Sequence, residues 1–203
     1  MQHCDLILTH ARILDVFRLR LFEGWLGVRD GRFVYVEAGD PPEISADRVI
    51  NVEGKIIAPG LIDAHMHIES SLITPRRFAE TVLPCGTTTI LSDPHEVGNV
   101  AGEAGVRWMV ASSQGLPLRI LHSIPSCVPA TSPDIEWTGE VFDQDVIRRL
   151  AELPSVIALG EVMDYVGLLG ASPRLQEIVA AAQAMGLLTE GHIPTLTGPD
   201  LSE

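Results

Sequence analysis

Two spacings of apolar residues divide this chain. From residue 5 to about residue 54 the apolar positions come in short runs with no helical period: Asp5-Leu6-Ile7-Leu8-Thr9, Ala11-Arg12-Ile13-Leu14, Trp25-Leu26-Gly27-Val28-Arg29, Arg32-Phe33-Val34-Tyr35-Val36 and Arg48-Val49-Ile50-Asn51-Val52. Such runs predict short strands, and the Asp30-Gly31 pair between two of them predicts a tight hairpin. Pro41-Pro42 interrupts the set and Glu53-Gly54 closes it. The stretch reads as a small β-domain.

From residue 56 the pattern changes to strands alternating with helices. Strand-like runs start near residues 61, 87, 118, 156 and 187. Between them the spacing predicts helices from Thr74-Pro75 to Gly86, from about Glu103 to Gln114, from Asp143 to Leu153 and from Ser172-Pro173 to about Met185. A long loop rich in Pro and Ser runs to about Gly139, and Pro199-Asp200 reads as the start of another helix. The repeat is close to that of a (β/α)8 barrel, in which ~250 residues serve eight units. A doubly wound open sheet alternates in a similar way.

The polar residues separate these two architectures. His65 and His67, Asp93 and His95, His122, Glu161 and His192 all fall at or just past the C-terminal ends of predicted strands. Barrel active sites are built there, from several strands, whereas an open sheet gathers its site at one switch point. The expected fold is therefore α/β: about the first five βα units of a barrel, over residues 56–203, with residues 1–55 as a small β-sandwich part.

In an extended strand alternate side chains share a face, so His65 and His67 point the same way, with Asp63 one step deeper. A lone His-x-His is a weak signal, Glu161 could be a buried carboxylate paired with an arginine, and His192 could cap a strand. His122 reads as a structural histidine. Taken together, His65, His67, Glu161 and His192 form a set of imidazoles plus one carboxylate suited to zinc, iron or manganese. A carboxylate such as Glu161 can bridge two metals.

Composition narrows the partners. The chain has 203 residues, is 46% hydrophobic and carries a net charge of −13 with no basic cluster, which argues against nucleic acid. No apolar run reaches the ~20 residues of a membrane span. The start Met1-Gln2-His3-Cys4-Asp5 has no signal-peptide character, and three scattered cysteines suggest no disulfide framework. A soluble, cytoplasmic protein is expected.

Val52-Glu53-Gly54-Lys55-Ile56-Ile57-Ala58-Pro59-Gly60-Leu61-Ile62-Asp63-Ala64-His65-Met66-His67 resembles the entry of the amidohydrolase superfamily. Ile68-Glu69-Ser70-Ser71, Gly86-Thr87-Thr88-Thr89, Asp93-Pro94-His95-Glu96, Pro125-Ser126-Cys127-Val128-Pro129-Ala130-Thr131, Gly160-Glu161-Val162-Met163 and Gly191-His192 are similar, within it, to the adenine deaminase family of bacteria and archaea. The resemblance implies a β-sandwich beside a barrel and a pair of divalent metals (Mn, Fe or Zn). It further implies hydrolytic deamination of adenine to hypoxanthine and ammonia. His65, His67 and His192 would be metal ligands, Glu161 the bridging catalytic carboxylate, and His95 and Glu96 residues near the substrate or the ligand shell. Many superfamily members bridge their metals with a fourth-strand lysine. The one lysine here, Lys55, precedes the first barrel strand and cannot serve; by the resemblance, Glu161 stands where the adenine deaminase family uses glutamate. Family members are far longer, so the expectation is an N-terminal portion of such an enzyme, inactive alone, whose full-length form is a homo-oligomer. Activity on another purine or a cyclic amide, or a half-barrel that pairs with another chain, are the competing expectations.

Overall fold

The computed structural model describes residues 3–132 and 134–201; Met1, Gln2, Pro133, Ser202 and Glu203 lie outside the described residues. The chain divides into two compact units, one ending at Pro59 and the other beginning at Gly60.

The first unit is one sheet. Strands β1 (Cys4–Asp15), β2 (Arg20–Arg29), β3 (Arg32–Ala38) and β4 (Ala46–Asn51) run in the order β3-β2-β1-β4, and β5 (Ile56–Ile57) pairs with the far half of β1. The two runs expected at residues 5–9 and 11–14 are a single strand. The register shifts between Leu8 and Ala11, where His10 has φ 55°. That bulge lets one strand pair with β4 along its first half and with β5 along its second. The hairpin at Asp30-Gly31 is present, with both residues at positive φ.

The second unit is a sheet of five parallel strands in the order β10-β9-β8-β7-β6: β6 (Leu61–Met66), β7 (Thr87–Ser92), β8 (Arg119–Pro125), β9 (Val156–Val162) and β10 (Leu188–Gly191). Each strand pairs with its neighbours in sequence and the order never reverses, so there is no switch point and the open-sheet alternative fails. This is a curled half-barrel, the first five strands of a (β/α)8 arrangement.

Helices α1 (Pro75–Val82), α2 (His95–Ser113), α3 (Gln144–Ala151), α4 (Tyr165–Leu169) and α5 (Pro173–Ala184) connect the strands. Val146, Ile147 and Leu150 of α3 and Ile178, Ala181 and Ala182 of α5 bury their apolar stripes against Ile124, Leu159 and Val162. Each large side chain so buried contributes about 1.5–3 kcal/mol. Asp143 caps α3, its Oδ1 accepting from the N–H groups of Asp145 and Val146. Thr74 and Ser172 occupy N-cap positions but make no side-chain cap bond, leaving the proline in the first turn to set each start.

The helices differ from the expected ones in three places. Helix α2 starts at His95 rather than Glu103, because the chain bends at Gly102 (φ 62°) and two helical segments run on from one another. The early segment places His95 and Glu96 in a first helical turn directly after β7. The short helix α4 has no counterpart in the elements expected from the spacing. Residues 198–201, where Pro199-Asp200 were expected to start a helix, form a 3-10 turn. No helix among the described residues is long and apolar enough to cross a membrane.

Helices α2 and α3 are joined by charge. Glu103 accepts from Arg107 on its own helix and from Arg149, whose Nη2 lies 2.7 Å from Oε2. The Arg149 hydrogen bond holds the Glu103 carboxyl below its usual range, outweighing burial. A lowered carboxylate pKa stabilises the fold above the unfolded-state value, and that stability is lost as pH falls through the folded-state value. Glu103→Gln is therefore expected to lower the urea midpoint at neutral pH, and the gap to the parent should close on acidification below the ordinary carboxylate range. A gap that persists unchanged at acid pH would show that the charge contributes nothing.

Candidate metal centre

The parallel strands end in a ring of polar side chains, with Glu161 at its middle. Glu161 sits near the end of β9, a strand buried along its second half, and is 4% exposed. Its Oε1 lies 2.8 Å from Nε2 of His65, 2.9 Å from Nε2 of His192 and 3.5 Å from Nε2 of His67. Its Oε2 lies 3.3 Å from Nδ1 of His95 and has no hydrogen-bond partner. No arginine or lysine pairs with Glu161 among the described residues; its neighbours are four imidazoles. Burial raises the Glu161 carboxyl, but the surrounding imidazoles of His192, His67, His95 and His65 outweigh it and hold the group below its usual range.

The positions follow from the strands. His65 is on β6 and His67 just past its end, so the alternation turns both rings the same way, with centroids 4.9 Å apart. His192 follows β10 directly, and its ring centroid is 5.9 Å from that of His65. Asp63 shares this parity but touches His65 only through the backbone, its Oδ1 accepting from the His65 N–H at 3.3 Å. His122 is fully buried on β8 with neither ring nitrogen hydrogen-bonded. Burial, countered only in part by Asp93, drops its pKa to about 4 and keeps it neutral.

Sequence reasoning gave no role to several residues that the fold brings in. Asp93, wholly buried after β7, accepts at Oδ2 from Ser123 Oγ and from the backbone N–H of Glu161, both at 3.0 Å. Its backbone carbonyl accepts from Nδ1 of His67 at 2.8 Å. Glu190 lies 3.3 Å from Nδ1 of His65. Ser126 donates from Oγ to the carbonyl of Glu161 at 2.8 Å, and buried Cys127 lies beside Asp93 and His95. Glu190, on β10, stands two residues before His192, so parity alone could have found it. Ser126 and Cys127 sit in an irregular loop and carry no periodic signal.

His95 and Glu96, in the first turn of α2, form the flank of the ring. His95 Nδ1 is 3.5 Å from Asp93 Oδ1, and its Nε2 is 3.8 Å from Glu96 Oε2. Burial opposes the charged imidazole, yet Asp93, Glu96 and Glu161 raise its pKa to about 8. Glu69 is pushed up to about 7, first by burial and then by the facing Glu96 carboxylate.

A comparison with known families places this geometry. The Amidohydrolase family profile matches residues 56–200, the whole of the barrel portion. The chain belongs to the amidohydrolase family. Among curated amidohydrolase relatives, it is 41% identical to adenine deaminase 2 of Latilactobacillus sakei and 42% identical to adenine deaminase of Nitratidesulfovibrio vulgaris. Each alignment covers 98% of this chain and 33% of the relative, so the chain spans a third of the length of those proteins. Among solved structures, a triazine hydrolase from Arthobacter aurescens superposes with a TM-score of 0.63 at 19% identity, over 93% of this chain and 53% of that one. At that identity the likeness concerns the fold.

Amidohydrolases are generally metal-dependent, and the hydrogen bonds here test whether a cation suits these residues. His67 Nδ1 faces a backbone carbonyl, which can only accept, so that nitrogen carries the proton and Nε2 presents a lone pair. His65 Nδ1 lies 3.3 Å from the Glu190 carboxylate, and with its proton there Nε2 likewise presents a lone pair to a cation. Both neutral rings then aim lone pairs at a carboxylate oxygen. A cation among them satisfies every group at once, and the unpartnered Oε2 of Glu161 offers a further donor. His65, Glu161 and His192 form one group whose ligand atoms lie within 4.8 Å of one another.

Proposed function

We propose that the chain is the metal-bearing portion of an adenine deaminase, hydrolysing adenine to hypoxanthine and ammonia. The observation that carries the substrate is the 41–42% identity to adenine deaminases across 98% of the chain. In this reading residues 1–55 are the sandwich part and 56–203 the first part of the barrel. His65, His67, His192 and Glu161, the last as bridging carboxylate, would hold a pair of divalent ions, Mn, Fe or Zn. Bound divalent ions would lower the pKa of water enough to supply a nucleophile at neutral pH. The full-length enzyme would be a cytoplasmic homo-oligomer.

The chain's own residues do the positioning. The Asp93 carbonyl fixes the tautomer of His67, and Glu190 would accept from the Nδ1–H of a cation-holding His65, so both present Nε2 to the centre. Asp93 and Ser126 hold the backbone of Glu161 from both sides, through its N–H and its carbonyl. That fixes the backbone from which the carboxylate projects. His95 and Glu96 wall the same strand ends, where a purine ring or a ligand shell would meet them. Replacing ammonia by water on a ring carbon needs a proton delivered to the departing nitrogen, and groups held this closely serve such transfers.

The test is made on a polypeptide of the relatives' full length that carries this chain, loaded with Mn2+. Adenine should be converted to hypoxanthine with stoichiometric ammonia. Turnover of a cyclic amide or another aminopurine, with adenine untouched, would overturn the assignment.

A further inference from the structure

Behind the loop that supports Glu161 stands a guanidinium with no carboxylate partner. Arg174 lies in the first turn of α5 and is half-buried against the loop that joins β8 to α3. Its Nη1 donates to the backbone carbonyls of Ser126 at 3.3 Å and Phe142 at 3.1 Å. Its Nη2 donates to those of Pro129 at 3.1 Å and Thr131 at 3.4 Å. No carboxylate lies in ion-pair range of it among the described residues. Burial pulls the pKa of Arg174 below its ordinary value, and Asp164 opposes that only through space. A charge buried in this way is offset by charge-assisted bonds to the carbonyl oxygens.

Seating the helix does not explain this arrangement. Leu175, Ile178, Ala181 and Ala182 already bury the inner face of α5. Ser126 and Phe142 stand at opposite ends of the loop, so one planar fork closes it. An ammonium, with three N–H groups on a single nitrogen, cannot copy that fork. The outer part of the loop has anchors of its own. Glu136 accepts from the N–H groups of Ala130 and Thr131, and Glu140 Oε2 accepts from the N–H of Glu103 at 2.8 Å. The loop should therefore stay folded without Arg174 and loosen where it begins, at Ser126.

That end reaches the metal centre. The Ser126 N–H donates to the Gly160 carbonyl at 2.5 Å, and its Oγ donates to the Glu161 carbonyl at 2.8 Å. Its own carbonyl is one of those that Arg174 holds. Arg174 thus stands two hydrogen bonds from the backbone of Glu161. We propose that Arg174 is a positioning residue for the metal centre, holding Ser126 so that Ser126 fixes the strand from which Glu161 projects. A group that supports a metal ligand from outside is worth roughly 10–100-fold in metal affinity. The inference rests on Glu161 being a metal ligand and does not depend on the substrate being adenine.

The experiment uses the polypeptide of the relatives' full length, stripped of metal and titrated with Mn2+ by calorimetry, with urea unfolding of each variant. Leu175 is buried beside Arg174 on the same helix, so Leu175→Ala serves as the control for lost stability. Arg174→Ala should bind Mn2+ about tenfold more weakly or worse. Arg174→Lys should stay weak, since it keeps the charge and loses the fork. Millimolar guanidinium, far below denaturing concentrations, should restore the affinity of Arg174→Ala and leave the parent unchanged. Leu175→Ala should lose stability yet bind as the parent does. Should Arg174→Ala not fold, Arg174→Lys carries the same comparison. Parental affinity in the folded Arg174 variants would overturn the proposal. So would an equal loss of affinity in Leu175→Ala, which would tie affinity to stability alone. A parent that binds no Mn2+ would overturn the metal reading and this inference with it, whereas unchanged variants of a binding parent would overturn this inference alone.

Discussion

Glu161→Gln in a polypeptide of full length is expected to abolish adenine turnover and strip most of the bound metal. The side chain keeps its size and its place on β9, so the fold should survive, and the change is electrical. Three imidazole Nε2 atoms stand 2.8, 2.9 and 3.5 Å from one carboxylate oxygen. A neutral amide cannot balance two cations there. Its NH2, placed where Oε2 stands, would also face Nδ1–H of His95, a donor against a donor. Removing one charged partner from a buried group costs about 3–5 kcal/mol, which is roughly 10²–10⁴ in metal affinity. Calorimetry and elemental analysis of the variant would measure the loss, and steady-state assay its catalytic consequence. Undiminished metal content with normal turnover would mean that another residue carries the bridging role.

The parts of the fold that were legible in the sequence were those governed by short-range rules. The Asp30-Gly31 hairpin, the five parallel strands and the sequential order that excludes a switch point all rest on local spacing and on where polar residues fall. The convergence of His65, His67, Glu161 and His192 was legible for the same reason, since each sits at a strand's C-terminal end. What failed was set by backbone events with weak signatures. The start of α2 at His95 depended on Gly102 taking φ 62°, so that two helical pieces joined where one was expected. The continuity of β1 depended on His10 entering a positive-φ conformation inside a strand. Asp93 was visible as a strand-end residue, but its role as a hub is a tertiary fact. Its side chain reaches Ser123 on β8 and the backbone of Glu161 on β9, two strands away, and no spacing rule reports that.

That hub explains why a glycine stands beside the central carboxylate, and it sets the second large effect. Gly160 is buried on β9, and a Cβ built there would collide with Asp93 Oδ2 and lie 2.6 Å from Ser123 Oγ and 2.8 Å from Glu190 Oε1. Real Cβ atoms do not approach oxygen so closely, so Gly160→Ala must displace at least one of these groups. Asp93 cannot move cheaply: shifting its Oδ2 breaks the bonds from Ser123 Oγ and the Glu161 N–H and leaves buried donors unsatisfied. Overpacking costs about 1–3 kcal/mol and each orphaned buried group about 1–3 more, so a loss on the order of 2–5 kcal/mol is expected. The same displacement frees the backbone of Glu161 on its Asp93 side and disturbs Glu190, the partner of His65 Nδ1. Metal affinity should therefore fall along with stability. Urea unfolding and Mn2+ titration of the variant measure both. Adding Ser123→Ala to Gly160→Ala removes one of the clashing atoms, so the double variant should lose less than the sum of the two single losses. A Gly160→Ala protein with parental stability and parental metal affinity would show that Asp93 does not hold Glu161 in place.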